Sequence, residues 1–295
     1  MASTSSKPTR RRAPTTDAAA LASHTAVLAD PRKSVKQRLA ALTALGWAIT
    51  DDPQRLAAVL GLIKDPSEPI RLRLAALAAI QSSTFHPERL EKIRADYLRA
   101  LRTVSSDADL ELRQRALGML AREHDPATQE RLIDGLREPS KALVPPEKAL
   151  QLLSYDVHSN AYSVARAIVD APPNETARRE ALRLLAADGA SAQMFEDILM
   201  DKAETSEIRQ LSASALHNLA PDRLQACARR ITLDPSEPSD IRSVGVTALT
   251  HFGDNDAMQQ DHVLNACLTQ LGDGGDDEDP MLQTAARQYI AKRLA

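Results

Sequence analysis

The chain has 295 residues, of which 43% are hydrophobic, 26% charged and only 3% aromatic. It is too apolar to be disordered as a whole, and its longest apolar stretches, such as Leu56–Ile63 and Leu74–Ile80, fall far short of the roughly 20 residues a membrane span needs. A net charge of -3 gives no global pull toward nucleic acid or membranes, two cysteines cannot build a disulfide framework, and eight aromatic residues are too few to favour a sheet.

Residues 1–16 hold Lys7, Arg10, Arg11 and Arg12 and no acid, without apolar periodicity, and are expected to form a disordered basic tail. The arginine run invites comparison with a twin-arginine signal, but Asp17 and His24 interrupt the apolar core that such a signal needs. An acid-poor start rich in Arg and Ser also fits an organellar transit peptide. A solvated tail on a cytoplasmic protein is the plainer reading.

From residue 17 to 295 the apolar spacing is helical and keeps resetting, which predicts a single repeat domain and no strands. Leu56, Val59, Leu60 and Ile63 follow i, i+3, i+4, i+7, and so do Leu264, Cys267, Leu268 and Leu271. Asp-Pro pairs at Asp30, Asp52, Asp65, Asp125, Asp234 and Asp279 read as helix stops followed by helix starts, because Asp supplies an N-cap oxygen and Pro a preset first turn. Helices are predicted around 53–63, 87–102, 126–137, 157–169, 191–201, 221–232 and 257–271. Others open at 35, 70, 112, 144, 177, 208, 241 and 281. The two best units superpose residue for residue: Ile208-Arg209, Ala213, Ala215, Leu216 and Leu219 against Ile241-Arg242, Val246, Ala248, Leu249 and Phe252. Val35-Lys36, Ile70-Arg71, Leu112-Arg113 and Ala177-Arg178 open looser copies. Each unit is a helical hairpin, and stacked hairpins bury what one alone cannot.

The stretch Asp65-Pro66-Ser67-Glu68-Pro69 before Ile70-Arg71, repeated as Asp234-Pro235-Ser236-Glu237-Pro238 before Ile241-Arg242, resembles HEAT-type repeats, including the short bacterial form. The resemblance covers residues 17–295 and implies an all-α fold, an armadillo-type α-solenoid of about eight hairpins forming a curved right-handed superhelix. It also implies that the Arg after each opening residue pairs with acids of its own or the next repeat. Arg71, Arg113, Arg178, Arg209 and Arg242 form that structural ladder, with Asp65, Asp107, Glu204 and Asp240 as candidate partners.

Chemistry is hard to find. No His lies three or four residues from another His or from a Cys, so no metal-ligand pair stands out, and no metal, cofactor or catalytic residue is assigned. A di-iron hydroxylase class built on HEAT repeats carries recurring His-Glu dipeptides, of which this chain has none. His217 and His251 occupy neighbouring repeat positions that stacking could bring together. Cys227 and Cys267 read as buried free thiols. Gly-x-Ser-x-Gly elbows and Gly-rich phosphate loops are absent, and the acidic run 272–279 lacks the ligand spacing of a calcium loop.

Charge is polarised: residues 1–150 carry 24 basic and 18 acidic side chains, residues 151–295 carry 13 and 22. Arg38, Arg73 and Arg115 recur at one position of the first three second helices. The resemblance puts second helices on the concave side, where these three would form a basic stripe, although solvated arginines with i,i+4 partners are the plainer reading. The expected function is a non-enzymatic scaffold or adaptor that holds a protein partner, one with an acidic surface if the stripe is real. The alternatives are nucleic-acid binding, as in HEAT-like DNA glycosylases, and bilin attachment, as in HEAT-like lyases. The helix Leu39–Ile49 would place Trp47, the only Trp, in the core rather than in a base-contacting groove. Ile290 and Leu294 leave the last helix without an obvious polar cap, so the expectation is a monomer or a weak homodimer.

Overall fold

The computed structural model describes residues 18–156, 160–252, 259–274 and 279–293. The basic tail 1–16, His158 and much of the acidic run 272–279 lie outside the described residues. Among those described there are sixteen α-helices and no strand. They follow one another as eight successive pairs, a solenoid-type arrangement of helical hairpins.

The helices fall into two compact units, Met1–Thr128 and Gln129–Ala295. In the first, α1 (Ala18–Ala29), α3 (Pro53–Lys64) and α5 (Pro87–Val104) pair with α2 (Val35–Leu45), α4 (Ile70–Gln81) and α6 (Leu110–Arg122). First helices also touch first helices, and second helices touch second helices, so each hairpin lies against the next. Between the units' main bodies in sequence comes α7 (Pro126–Arg137). The second unit continues with α8 (Pro146–Leu153), α9 (Tyr162–Asp170), α10 (Glu175–Leu185), α11 (Ala192–Met200), α12 (Ser206–Leu219), α13 (Pro221–Leu233), α14 (Ser239–Phe252), α15 (His262–Asp273) and α16 (Pro280–Arg293). Here α8, α10, α12, α14 and α16 make one continuous layer of second helices.

Three of the six Asp-Pro pairs start helices. Asp52 caps α3 through the N–H groups of Gln54 and Arg55, Asp125 accepts from Thr128 at the start of α7, and Asp279 accepts from Met281 ahead of Leu282 in α16. Asp30, Asp65 and Asp234 instead build the turn inside a hairpin. Asp65 and Asp234 each accept from the N–H and hydroxyl of the Ser two residues on, and the next helix waits until after Pro69 or Pro238.

Those turns present a carboxylate to an arginine of the preceding hairpin. The fourth residue of each second helix donates its N–H to the N-cap carbonyl, and six times it is Arg: Arg38, Arg73, Arg113, Arg178, Arg209 and Arg242. Nε of Arg38, Arg73, Arg209 and Arg242 donates to the carbonyl ten residues back, on Leu28, Ile63, Leu199 and Thr232. These carbonyls lie in the last turn of the first helix, where no intrahelical donor exists. The guanidinium then reaches onward to an acid just before the next second helix: Arg38 to Glu68, Arg73 to Asp107, Arg178 to Glu204 and Arg209 to Glu237. Arg209 and Glu237 retain only 2% and 1% of their side-chain exposure.

Arg38 and Arg73 are therefore not a surface stripe. Both are buried and doubly bonded to carboxylates, because in the first two hairpins the clamp position falls two residues after the Val35-Lys36 and Ile70-Arg71 openings. Arg71 is exposed. Arg115 is half exposed and pairs with Glu111 one turn away at 2.6 Å. Arg113 donates to the Asp107 carbonyl, and its buried Nε has no partner among the described residues. Asp65 serves its own turn and Asp240 accepts from Gln210, so the partners of Arg38 and Arg209 are the Glu of each Asp-Pro-Ser-Glu motif.

Trp47 is likewise not in the core. The helix that begins at Val35 stops at Leu45, because Gly46 takes φ 44°, a left-handed value that glycine adopts without penalty. The following 3-10 turn, Gly46–Ile49, buries Ile49 and leaves Trp47 49% exposed.

Arg209→Met should cost about 3–5 kcal/mol, since it strands Glu237 as an uncompensated buried charge. The double variant Arg209→Met/Glu237→Met should be more stable than the single one, and urea unfolding followed by circular dichroism measures the difference. Acid should loosen the fold in a defined window. Arg73 beside Asp107 and Arg229 beside Asp261 hold these carboxyls below their ordinary value of 3.8, so their stabilisation is complete once the unfolded chain is ionised and disappears as pH falls through the folded values. Urea midpoints should stay flat from about pH 7 to about pH 5 and drop below about pH 4, with a shallower acid limb in Asp107→Asn.

Candidate functional site: a groove on the second helices

The second-helix layer of residues 129–295 carries a groove of about 860 Å³ formed by α12, α14 and α16. Each helix contributes residues at helical spacing: Gln210, Ala213, Ser214 and His217 from α12, Asp240, Ser243, Val244, Thr247 and Ala248 from α14, and Met281, Thr284, Ala285 and Gln288 from α16. The floor is made of small residues, with Ala213, Ser243, Ala248 and Ala285 all buried. Large apolar side chains stand at the edges, Phe252 at 43% and Met281 at 66% exposure.

Gly245 helps set this surface from behind. A Cβ there would lie 2.9 Å from the Thr232 hydroxyl and 3.0 Å from the Ala228 carbonyl oxygen, so its absence lets α14 sit close on α13. Three arginines of these helices turn away from the groove. Arg209 turns to Leu199 and Glu237, Arg242 to the Thr232 carbonyl, and Arg287 to the Gly272 carbonyl. Asp240 is left half-buried on the groove, where among the described residues it accepts only from the Gln210 amide at 3.4 Å.

His217 and His251 each lie beside the Phe252 ring. The His217 ring stacks on Phe252 with centroids 3.7 Å apart and 28° between planes, and His251 lies tilted at 5.9 Å from the same ring. Nδ1 of His217 is buried with no hydrogen-bond partner among the described residues. The stacked ring packs as part of the wall rather than facing an acidic partner. Cys227 is buried, which pushes its thiol up and disfavours the thiolate, while Cys267 is half-buried with Sγ 3.9 Å from the Thr232 carbonyl. Among the described residues, no group of three or more His, Cys, Asp or Glu could hold a metal ion. None of the described helices is long and apolar enough to cross a membrane.

Residues 1–128 carry a smaller exposed cluster. Trp47 meets His86 edge-on at 4.4 Å, and the Arg89 guanidinium lies 5.6 Å from the indole centroid while bonding to Asp51. Phe85, on the next 3-10 turn, is 80% exposed.

The groove could not be assembled from periodicity, because its lining comes from three helices spread over residues 210 to 288. The signal that was present is the run of small residues on one face of each helix, where the opposite faces carry Leu, Ile and Val. No protein-family model matches the sequence, and no curated protein matches it. Among solved structures, human deoxyhypusine hydroxylase in complex with glycerol aligns over 85% of this chain and 99% of its own, at 14% identity and a TM-score of 0.34, a likeness too low to carry an argument.

Proposed function

We propose that the protein is a HEAT-type scaffold, not an enzyme, and that it holds a protein partner on the second-helix face of residues 129–295. The groove is the observation that supports this reading. It is wide, open and apolar, with a small-residue floor and protruding Phe252 and Met281, the kind of exposed apolar surface that soluble proteins keep for interactions. Its polar groups suit recognition better than chemistry, since Asp240 is engaged by Gln210 and His217 is packed against Phe252. An acidic partner drawn to a basic stripe loses its basis once Arg38 and Arg73 are neutralised within the fold.

A second reading rests on the Trp47 cluster. An exposed indole and Phe85 beside a guanidinium could stack on the bases of a single strand. Asp51 already neutralises Arg89, which leaves little there for a phosphate backbone. A gel shift that weakens steeply with salt and is lost in Trp47→Ala would favour this reading; absence of any shift at low salt would end it.

A photo-crosslinking residue placed at exposed Thr247, used in extracts of the source organism, should trap a species that protease destroys and nuclease does not. Trapping should fall at least tenfold when Val244→Trp plugs the groove and stay unchanged in Arg115→Glu.

A further inference from the structure

We propose that this groove receives an amphipathic helix of a partner protein, with a lysine or arginine flanking its apolar stripe and reaching Asp240. The proposal rests on the scaffold reading and specifies the chemistry of what is bound. Three observations carry it. The apolar lining and small floor suit the laying-in of a helix, since Ala213, Ala248 and Ala285 allow close approach while Phe252 and Met281 wall the edges. Among the described residues, the only acidic side chain lining the groove is Asp240, half-buried, with a single weak contact to a neutral amide. The arginines of the same helices that could have neutralised it are turned away, Arg209 to Glu237, Arg242 to Thr232 and Arg287 to Gly272, and among the described residues no Lys or Arg lines the groove.

A half-buried carboxylate beside apolar surface gains most from a cation delivered together with apolar contacts, because the partner then excludes water from the pair. A nucleic-acid backbone would meet Asp240 with like charge and find no cation in the lining. The partner's recognition face should therefore read as apolar residues at i, i+3, i+4 and i+7 with a basic residue alongside.

Fluorescence anisotropy on the full chain tests this with three labelled 18-residue peptides: a Leu/Lys peptide with Leu at helical spacing, a peptide of the same composition with Leu scattered, and a Leu/Glu peptide with the first spacing. The first should bind, and the other two should bind at least tenfold more weakly. Asp240→Lys should weaken the first peptide tenfold or more, while Asp222→Lys, an equal charge change at an exposed site outside the groove, should alter it less than twofold. Thr247→Trp, on the exposed rim, should also weaken it tenfold, with circular dichroism showing each variant folded.

Equal binding to wild type and Asp240→Lys, equal binding of the Leu/Glu peptide, or no binding of the Leu/Lys peptide would overturn the proposal. If the peptides fail while crosslinking at Thr247 still traps a protein and Val244→Trp abolishes it, the helix chemistry falls and the scaffold reading stands. If the groove variants leave the trapped protein unaffected, the partner lies elsewhere and both fall.

Discussion

At four first helices a last-turn carbonyl meets a side chain of the following helix. A carbonyl in that position costs free energy unless a donor reaches it. Arginine at the fourth position of the following helix solves this with Nε, as at Leu28, Ile63, Leu199 and Thr232. The solution creates a second demand, because a guanidinium drawn inside must be paired. The turn of the next hairpin supplies the carboxylate, Glu68, Asp107, Glu204 or Glu237. One side chain thus ties together the end of one helix, the start of a second and the loop of the following repeat. This is why a hairpin of this kind is incomplete without its successor.

The same constraint shapes the surface. Arginines that counting would place on an accessible face are consumed inside the fold, so the excess of basic residues over 1–150 overstates what a partner can touch. On α12 and α14 the clamp turns Arg209 and Arg242 away from the groove, which presents small residues, two apolar edges and Asp240. The groove's chemistry follows from where the structural arginines had to go.

Helix number and order could be read from periodicity because amphipathic spacing and caps are local. Asp52 with Pro53, and Asp279 with Pro280, announce their helices and deliver them. The arginine register was not local. Val35-Lys36 and Ile70-Arg71 imitate Ile208-Arg209, yet the clamp counts from the N-cap, and only Ser34, with its reciprocal bond to Gln37, marked that cap in the sequence. Pro69 caps α4 with no side-chain bond and gave no such mark. Trp47 depended on one backbone angle at Gly46, which ends α2 a turn early and sends Ile49 inward in its place. The groove was legible only as small residues on three separate helix faces, since their convergence is a tertiary fact.

The clamp position of α16 sharpens the argument about why arginine is used elsewhere. There the fourth residue is Gln283, whose amide donates to the Gly274 carbonyl at 2.7 Å. Gly274 lies just past the end of α15, and an amide that satisfies its carbonyl brings no charge, so it needs no acid from a further loop. At α8 the fourth residue is Ala149, whose side chain has no donor. If carbonyl satisfaction were the whole purpose, glutamine would serve at every repeat without the cost of desolvating a cation. Four of the six arginines, Arg38, Arg73, Arg178 and Arg209, meet an acid of the following turn, so at those positions the residue makes a link between consecutive hairpins and does not serve the helix end alone.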